Sequence, residues 1–255
     1  MSFPRSDKFP TVNADEMALF KNISTQWWDK TVPLQSMNNL RVPWIVDGIA
    51  EAGLISKDKV GSSKPLEGLK ILEVGCGGGI FSEPLSQYGC TIVGIDPCTD
   101  MIHIAKQHMA LNPSLTNIRY INETIEEHSK KYFEEYDAVV ATEVLDHVDE
   151  RDLFLDLCCR CLKPGGPIFV TTINKTWTAW LTAIILLEYI VGIIPKGTHS
   201  YYKFITPEDV EKYLENYNCR TKYVRGMLYN FLTSAWHWSS IQLISYALYA
   251  IKDKK

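Results

Sequence analysis

Positive charge is scarce in this chain: 26 lysines and arginines stand against 30 aspartates and glutamates, a net charge of −4. Such a balance gives no general attraction to phosphate backbones and argues against nucleic acid as a partner. A disulfide framework is also lacking. The seven cysteines are scattered, and an odd number cannot all pair. Reduced thiols in an intracellular compartment are the simpler expectation. Cys158, Cys159 and Cys161 contain a C-x-x-C spacing, but no second cysteine or histidine pair follows at zinc-finger distance. The stretch is patterned as helix, so no metal is expected there. No secretory signal is visible, and Asp7, Asp15, Glu16 and Asp29 argue against an intact transit peptide, which is poor in acids. The expectation is that a targeting segment has been removed or was never present. Internal repeats and low-complexity runs are missing as well.

What is there has an ordinary globular make-up, 46% hydrophobic and 22% charged, and 255 residues suffice for one large domain with a sizeable core. Residues 13–30 have an amphipathic helical pattern ending in Trp27 and Trp28. Pro33, Asn38 and Asn39 break it, and a second helix is expected from Arg41 to Ala52. The polar stretch 58–68 reads as a linker. From Leu69 the pattern changes to short apolar runs: LKILEVG, TIVGID (91–96), IRYINE (118–123), YDAVVATE (136–143) and PIFVTTI (167–173). Helical patterns lie between them, which implies βαβ units and a parallel sheet covered on both faces. Two more strands, around 222–228 and 245–252, bring the expected total to seven, one of them a candidate for antiparallel pairing. The expected class is α/β, a doubly wound, mostly parallel seven-stranded sheet of Rossmann-like type. A single domain is expected, with N-terminal helices and linker in 1–67, a cofactor-binding core in 68–175, an apolar insertion in 176–204 and the C-terminal part of the sheet in 205–255.

Three features carry chemistry. Glu73-Val74-Gly75-Cys76-Gly77-Gly78-Gly79 directly follows a strand. Glycines let the backbone turn tightly and let a ligand approach it, and a helix from about Ile80 would aim its N-terminus at that ligand. Alone, such a loop is equally a tight turn and nothing more. Asp96 ends the second strand, where a carboxylate can accept both hydroxyls of a ribose. Glu143, Asp146 and His147 follow the fourth strand, at the sheet end where ligands bind. Two carboxylates and an imidazole there suit a hard cation such as Mg²⁺. Spacing alone favours a plainer arrangement in which Asp146 caps a helix and His147 packs.

The stretch from Trp177 to Pro195 has Glu188 as its only charge. As a helix of 18 residues it would be about 27 Å long, borderline for a bilayer. It lies between a sheet strand and chain that returns to the same domain, so both flanks stay on one side. An apolar lid lying on a membrane or gripping a lipid is expected, against the alternative of a buried core helix.

E-x-G-x-G-x-G at 73–79, D-x-x-x-x-M-I-x-x-A-K from Asp96 and LKPGG at 162–166 together resemble the class I methyltransferases. With WWD at 27–29, NNLR at 38–41, TINK at 172–175, AIILLEY at 183–189, PKGTH at 195–199, KFITPE at 203–208, GMLYN at 226–230 and WHWS at 236–239, nearly the whole chain resembles the ubiquinone-biosynthesis O-methyltransferases. The resemblance implies methyl transfer from S-adenosylmethionine to ring hydroxyls of polyprenylated catechol or hydroquinone intermediates, namely 3,4-dihydroxy-5-polyprenylbenzoate and demethylubiquinol. It implies that Arg41, Gly75, Gly77, Asp96 and Thr142 contact the cofactor and that Glu143, Asp146 and His147 bind Mg²⁺. It implies a peripheral place on the matrix side of the mitochondrial inner membrane, among other ubiquinone-biosynthesis proteins. Asp146 stands where the family usually has glutamate, and Thr142 where methionine is frequent. His199 is a candidate general base, with a shaping role for its loop as the alternative. Two other functions stay open: a catalytically silent scaffold in a membrane-associated assembly, and a soluble small-molecule methyltransferase of another family.

Overall fold

The five apolar runs form five parallel strands, β1 (Lys70–Val74), β2 (Thr91–Asp96), β3 (Ile118–Asn122), β4 (Ala138–Thr142) and β5 (Pro167–Ile173). The computed structural model describes residues 9–30, 32–183, 201–230 and 232–254. Further along come β6 (Cys219–Asn230), β7 (Ala235–Ser239) and β8 (Ser245–Lys252), and the sheet order is β3-β2-β1-β4-β5-β8-β6-β7. β8 runs antiparallel to β5, as one late strand was expected to. Among the described residues the sheet has eight strands, where seven were expected. The additional strand is β7, whose core is the WHW triplet 236–238. Five residues carry little periodicity of their own, and pairing with β6 from Gly226 to Asn230 supplies what the local pattern lacks.

Both faces of the sheet are covered. On one side α7 (Arg151–Cys161) and α9 (Pro207–Asn216) bury Phe154, Leu155, Val210 and Leu214 against Leu72, Val139 and Leu248. On the other, Trp44, Ile45, Phe81 and Ile102 pack on Ile71, Val140 and Phe169. The second layer comes from α3 (Val32–Glu51), α4 (Ser82–Ser86) and α5 (Thr99–Ala110). A short α6 (Ile125–His128) follows β3, and Thr124 with Glu127 forms its capping box.

The N-terminal segment departs from the expected pair of helices. Asn13 caps α1 (Ala14–Ile23) by accepting from the Glu16 amide. A 3₁₀ turn over Ser24–Gln26 leads into α2 (Trp27–Lys30). The residues expected to separate the two helices lie inside α3. Pro33 sits in its first turn, where no amide donor is needed. Asn38 donates to the Ile80 carbonyl and accepts from Arg41, so its side chain is spent on tertiary contacts. The apolar insertion is described only at its ends, by α8 (Trp177–Ala183) and a 3₁₀ turn at Tyr201–Lys203. His199, Ile184, Leu187 and Ile190 lie outside the described residues.

Candidate functional site

β1 delivers the chain into the glycine turn at the carboxyl edge of the sheet. Gly75 and Gly77 adopt φ of 74° and 51°, conformations that L-residues with a Cβ rarely hold. A Cβ on Gly75 would lie 2.5 Å from Val144 Cγ2. The Gly77 amide donates to Asp96 Oδ2 at 2.9 Å and the Cys98 amide to Oδ1 at 2.8 Å, so the turn and the carboxylate fix one another. Burial pushes the Asp96 carboxyl up to about 6, against the pull of those two amides. The helix expected at Ile80 begins at Ser82 and is five residues long. Beneath the turn Glu73 accepts from Ser82, and burial raises its carboxyl to about 8.

Arg41 enters from α3. It is 2% exposed; Nη2 donates to Asn38 Oδ1 at 2.6 Å, and Nη1 lies 3.7 Å from Glu143 Oε1. Its Nε and Nη1 have no hydrogen-bond partner. A buried guanidinium with open donors is costly, and an anionic ligand satisfies it. Thr142 ends β4. Glu143 follows with φ of 53°, a strained backbone of the sort found at functional sites. Its Oε1 accepts from Thr171 Oγ1 at 2.6 Å, and burial raises its carboxyl although Arg41 opposes the shift.

Across the cavity His147 directs both ring nitrogens at carboxylates, Nδ1 at Glu16 Oε2 (2.9 Å) and Nε2 at Asp146 Oδ2 (3.4 Å). Burial works against the imidazolium, but Asp146 and Glu16 outweigh it and raise His147 to about 9. Burial also works against the Glu16 charge, yet His147 and Lys203 lower it to about 2. This arrangement corrects the plainer expectation for the acidic cluster, a helix cap at Asp146. Asp146 caps no helix; α7 starts at Arg151, and Asp146 lies in the turn before it, accepting from Thr172. The three side chains are each paired within the protein. His147 is engaged by Glu16 and Asp146, and Glu143 by Arg41 and Thr171. Among the described residues no group of three or more His, Cys, Asp and Glu is arranged to hold a metal ion.

Arg41, Gly75, Gly77, Asp96 and Thr142 line one cavity of about 280 Å³, together with Glu143, Asp146 and His147. Sequence reasoning missed Glu16, Lys203, Phe20 and Trp27. Glu16 occupies the first turn of α1, an ordinary place for an acid, and that masked it. Its sole local signal is a carboxylate on the helix face that carries Phe20 toward the sheet.

A methyltransferase domain model matches residues 47–223. The chain is 43% identical over 248 residues to the mitochondrial ubiquinone biosynthesis O-methyltransferase of Homo sapiens, covering 96% of this chain and 66% of that protein. It is 42% identical to the Rattus norvegicus counterpart, with 96% and 71% covered. The Klebsiella pneumoniae (strain 342) ubiquinone biosynthesis O-methyltransferase is 34% identical, with 92% and 91% covered. Among solved structures, the magnesium protoporphyrin IX methyltransferase of Synechocystis with bound SAH superposes with a TM-score of 0.60 at 21% identity, over 87% of this chain and 84% of that one. A SAM-dependent methyltransferase of Thermotoga maritima gives 0.63 at 16% identity, over 92% and 99%. At those identities the two structures establish the fold.

Proposed function

The chain belongs to the ubiquinone biosynthesis O-methyltransferase family, and we propose that it moves the methyl group of S-adenosylmethionine to a ring hydroxyl of a polyprenylated catechol or hydroquinone. Membership sets aside a soluble methyltransferase of another family. One observation carries the reading: a single cavity presents a buried guanidinium with open donors, Arg41, and a carboxylate locked at the glycine turn, Asp96. Those groups complement the α-carboxylate and the ribose diol of S-adenosylmethionine. That ligand supplies a methyl carbon made electrophilic by its sulfonium.

The chain's own residues do the rest. Arg41 binds the carboxylate and Asp96 accepts from the ribose. Glu143 takes the proton of the attacking hydroxyl; burial has already raised the affinity of its carboxyl for a proton. His147 is held beside the site by Glu16 and Asp146, and its positive charge steadies the phenolate through space rather than by a hydrogen bond.

We place the protein in mitochondria, at the matrix face of the inner membrane, in keeping with the mitochondrial animal relatives. Trp177 and Leu181 of α8 are 68% and 42% exposed, and Ile241 and Leu243 lie on the loop that α8 contacts through Thr178. Such a patch suits a lipid surface, which would hold the polyprenyl tail while the ring enters the cavity. No helix among the described residues is long and apolar enough to cross a membrane.

The test is methyl-labelled S-adenosylmethionine with a short-chain prenylated catechol. Label is expected on the ring oxygen; binding without transfer would support the scaffold reading instead. Trp177→Ser with Leu181→Ser is expected to reduce sedimentation with anionic liposomes, and unchanged sedimentation would remove the patch from membrane contact.

A further inference from the structure

We propose that Phe20 and Trp27 form an aromatic wall that recognises the positive charge of the methyl donor, so that the cavity prefers a sulfonium to the neutral thioether left after transfer. The proposal rests on S-adenosylmethionine as the ligand. Both rings line the cavity. They meet edge to face, with centroids 6.1 Å apart and planes at 74°, and Phe20 meets His147 in the same way at 5.0 Å.

Trp27 has a purpose-built seat. A Cβ on Gly78 would lie 2.3 Å from Trp27 Cδ1, and one on Gly77 would lie 3.3 Å from its Cζ2. Gly77 needs its glycine for a positive φ in any case. Gly78 does not: its backbone suits any residue, so the indole is what requires a glycine there. The extra glycine in Gly77-Gly78-Gly79 therefore makes room for a ring on the turn.

That ring stands over the turn whose Gly77 amide fixes Asp96, the ribose acceptor. An aromatic face attracts a cation through its quadrupole and keeps no counter-ion when the cation leaves. A carboxylate in the same place would attract the sulfonium more strongly, but it would also be placed to take up the methyl. A ring provides the attraction without a nucleophile. Loss of the charge on transfer then removes part of the binding and helps the spent cofactor to leave.

An apolar roof with no charge preference is the competing account, and the two part company in one ratio. Dissociation constants for S-adenosylmethionine and S-adenosylhomocysteine are measured by calorimetry on the parent, Trp27→Leu, Trp27→Phe and Phe20→Leu. The charged ligand is expected to weaken about 3- to 30-fold more than the neutral one in Trp27→Leu. Trp27→Phe is expected to keep most of the preference. Phe20→Leu is judged by the same ratio and keeps the test open should Trp27→Leu not fold. Equal weakening of both ligands would overturn the proposal. Failure of either ligand to bind the parent would overturn the cofactor reading beneath it, a distinct result.

Discussion

In the floor of the cavity, the amides that fix Asp96 lie nineteen residues before it, at Gly77, and two after it, at Cys98. In the roof, Glu16 reaches His147 across 131 residues and Lys203 across 187. The floor is built from one βαβ unit and its backbone. The roof is a set of side-chain pairs that exist only once both ends of the chain have met on the sheet. The floor should therefore fail all at once, and the roof should loosen while the sheet persists.

Gly75→Ala attacks the floor hardest. It forces a Cβ onto a backbone at φ 74° and into Val144 at 2.5 Å. Strain of that kind costs about 1–3 kcal/mol before the clash is counted. A lowered melting temperature and loss of measurable cofactor binding are expected; binding at parental affinity would show that the turn is not the floor.

Asp96→Ala forces no Cβ into the turn but removes the carboxylate that accepts from the Gly77 and Cys98 amides and from the ribose. A charge-assisted bond is worth about 1.5–3 kcal/mol, so calorimetry should read a roughly 10- to 150-fold loss of cofactor affinity. Acidity gives a finer version. With its carboxyl raised from 3.8 to about 6, Asp96 loses its charge at milder acidity than an ordinary aspartate. Cofactor affinity in the parent should fall as pH drops below about 6. The same protonation should stabilise the empty fold between pH 6 and 3.8, because over that window the native state binds the proton and the unfolded state does not. Asp96→Asn should show neither dependence.

Glu16→Ala tests the roof. It leaves the His147 imidazolium and Lys203 without their shared carboxylate, at a cost of about 1.5–3 kcal/mol. Hydrogen exchange should speed up over Ala14–Ile23 while β1 to β4 keep their protection. Protection lost equally in both would join roof and floor into one unit. Chelation is expected to do least: with the binding groups on Arg41 and Asp96, stripping divalent cations should leave the dissociation constant for S-adenosylmethionine unchanged.

The same division decided what could be read from the residues alone. TIVGID and PIFVTTI became β2 and β5 at their expected bounds, because a strand buried on both faces writes itself as a continuous apolar run. The glycine turn and Asp96 were legible because their spacing is local. Asn38 looked like a helix breaker because its partner, the Ile80 carbonyl, is 42 residues away. β7 needed β6 to become a strand. Spacing left the acidic cluster open between a capped helix and a cation, because its partners are distant: Arg41 from α3 beside Glu143, and Glu16 from α1 beside His147.

The reach from Glu16 to Lys203 also has a meaning in time. A ribosome adding about 5–20 residues per second takes on the order of 10–40 s to make the 187 residues between them. During that interval α1 gains its partners in turn, Trp27 and the glycine turn first, then His147, and Glu16 waits longest for Lys203. The pair that ties Glu16 to Lys203 is thus completed late, and the nascent chain passes through a stage in which its binding floor stands open.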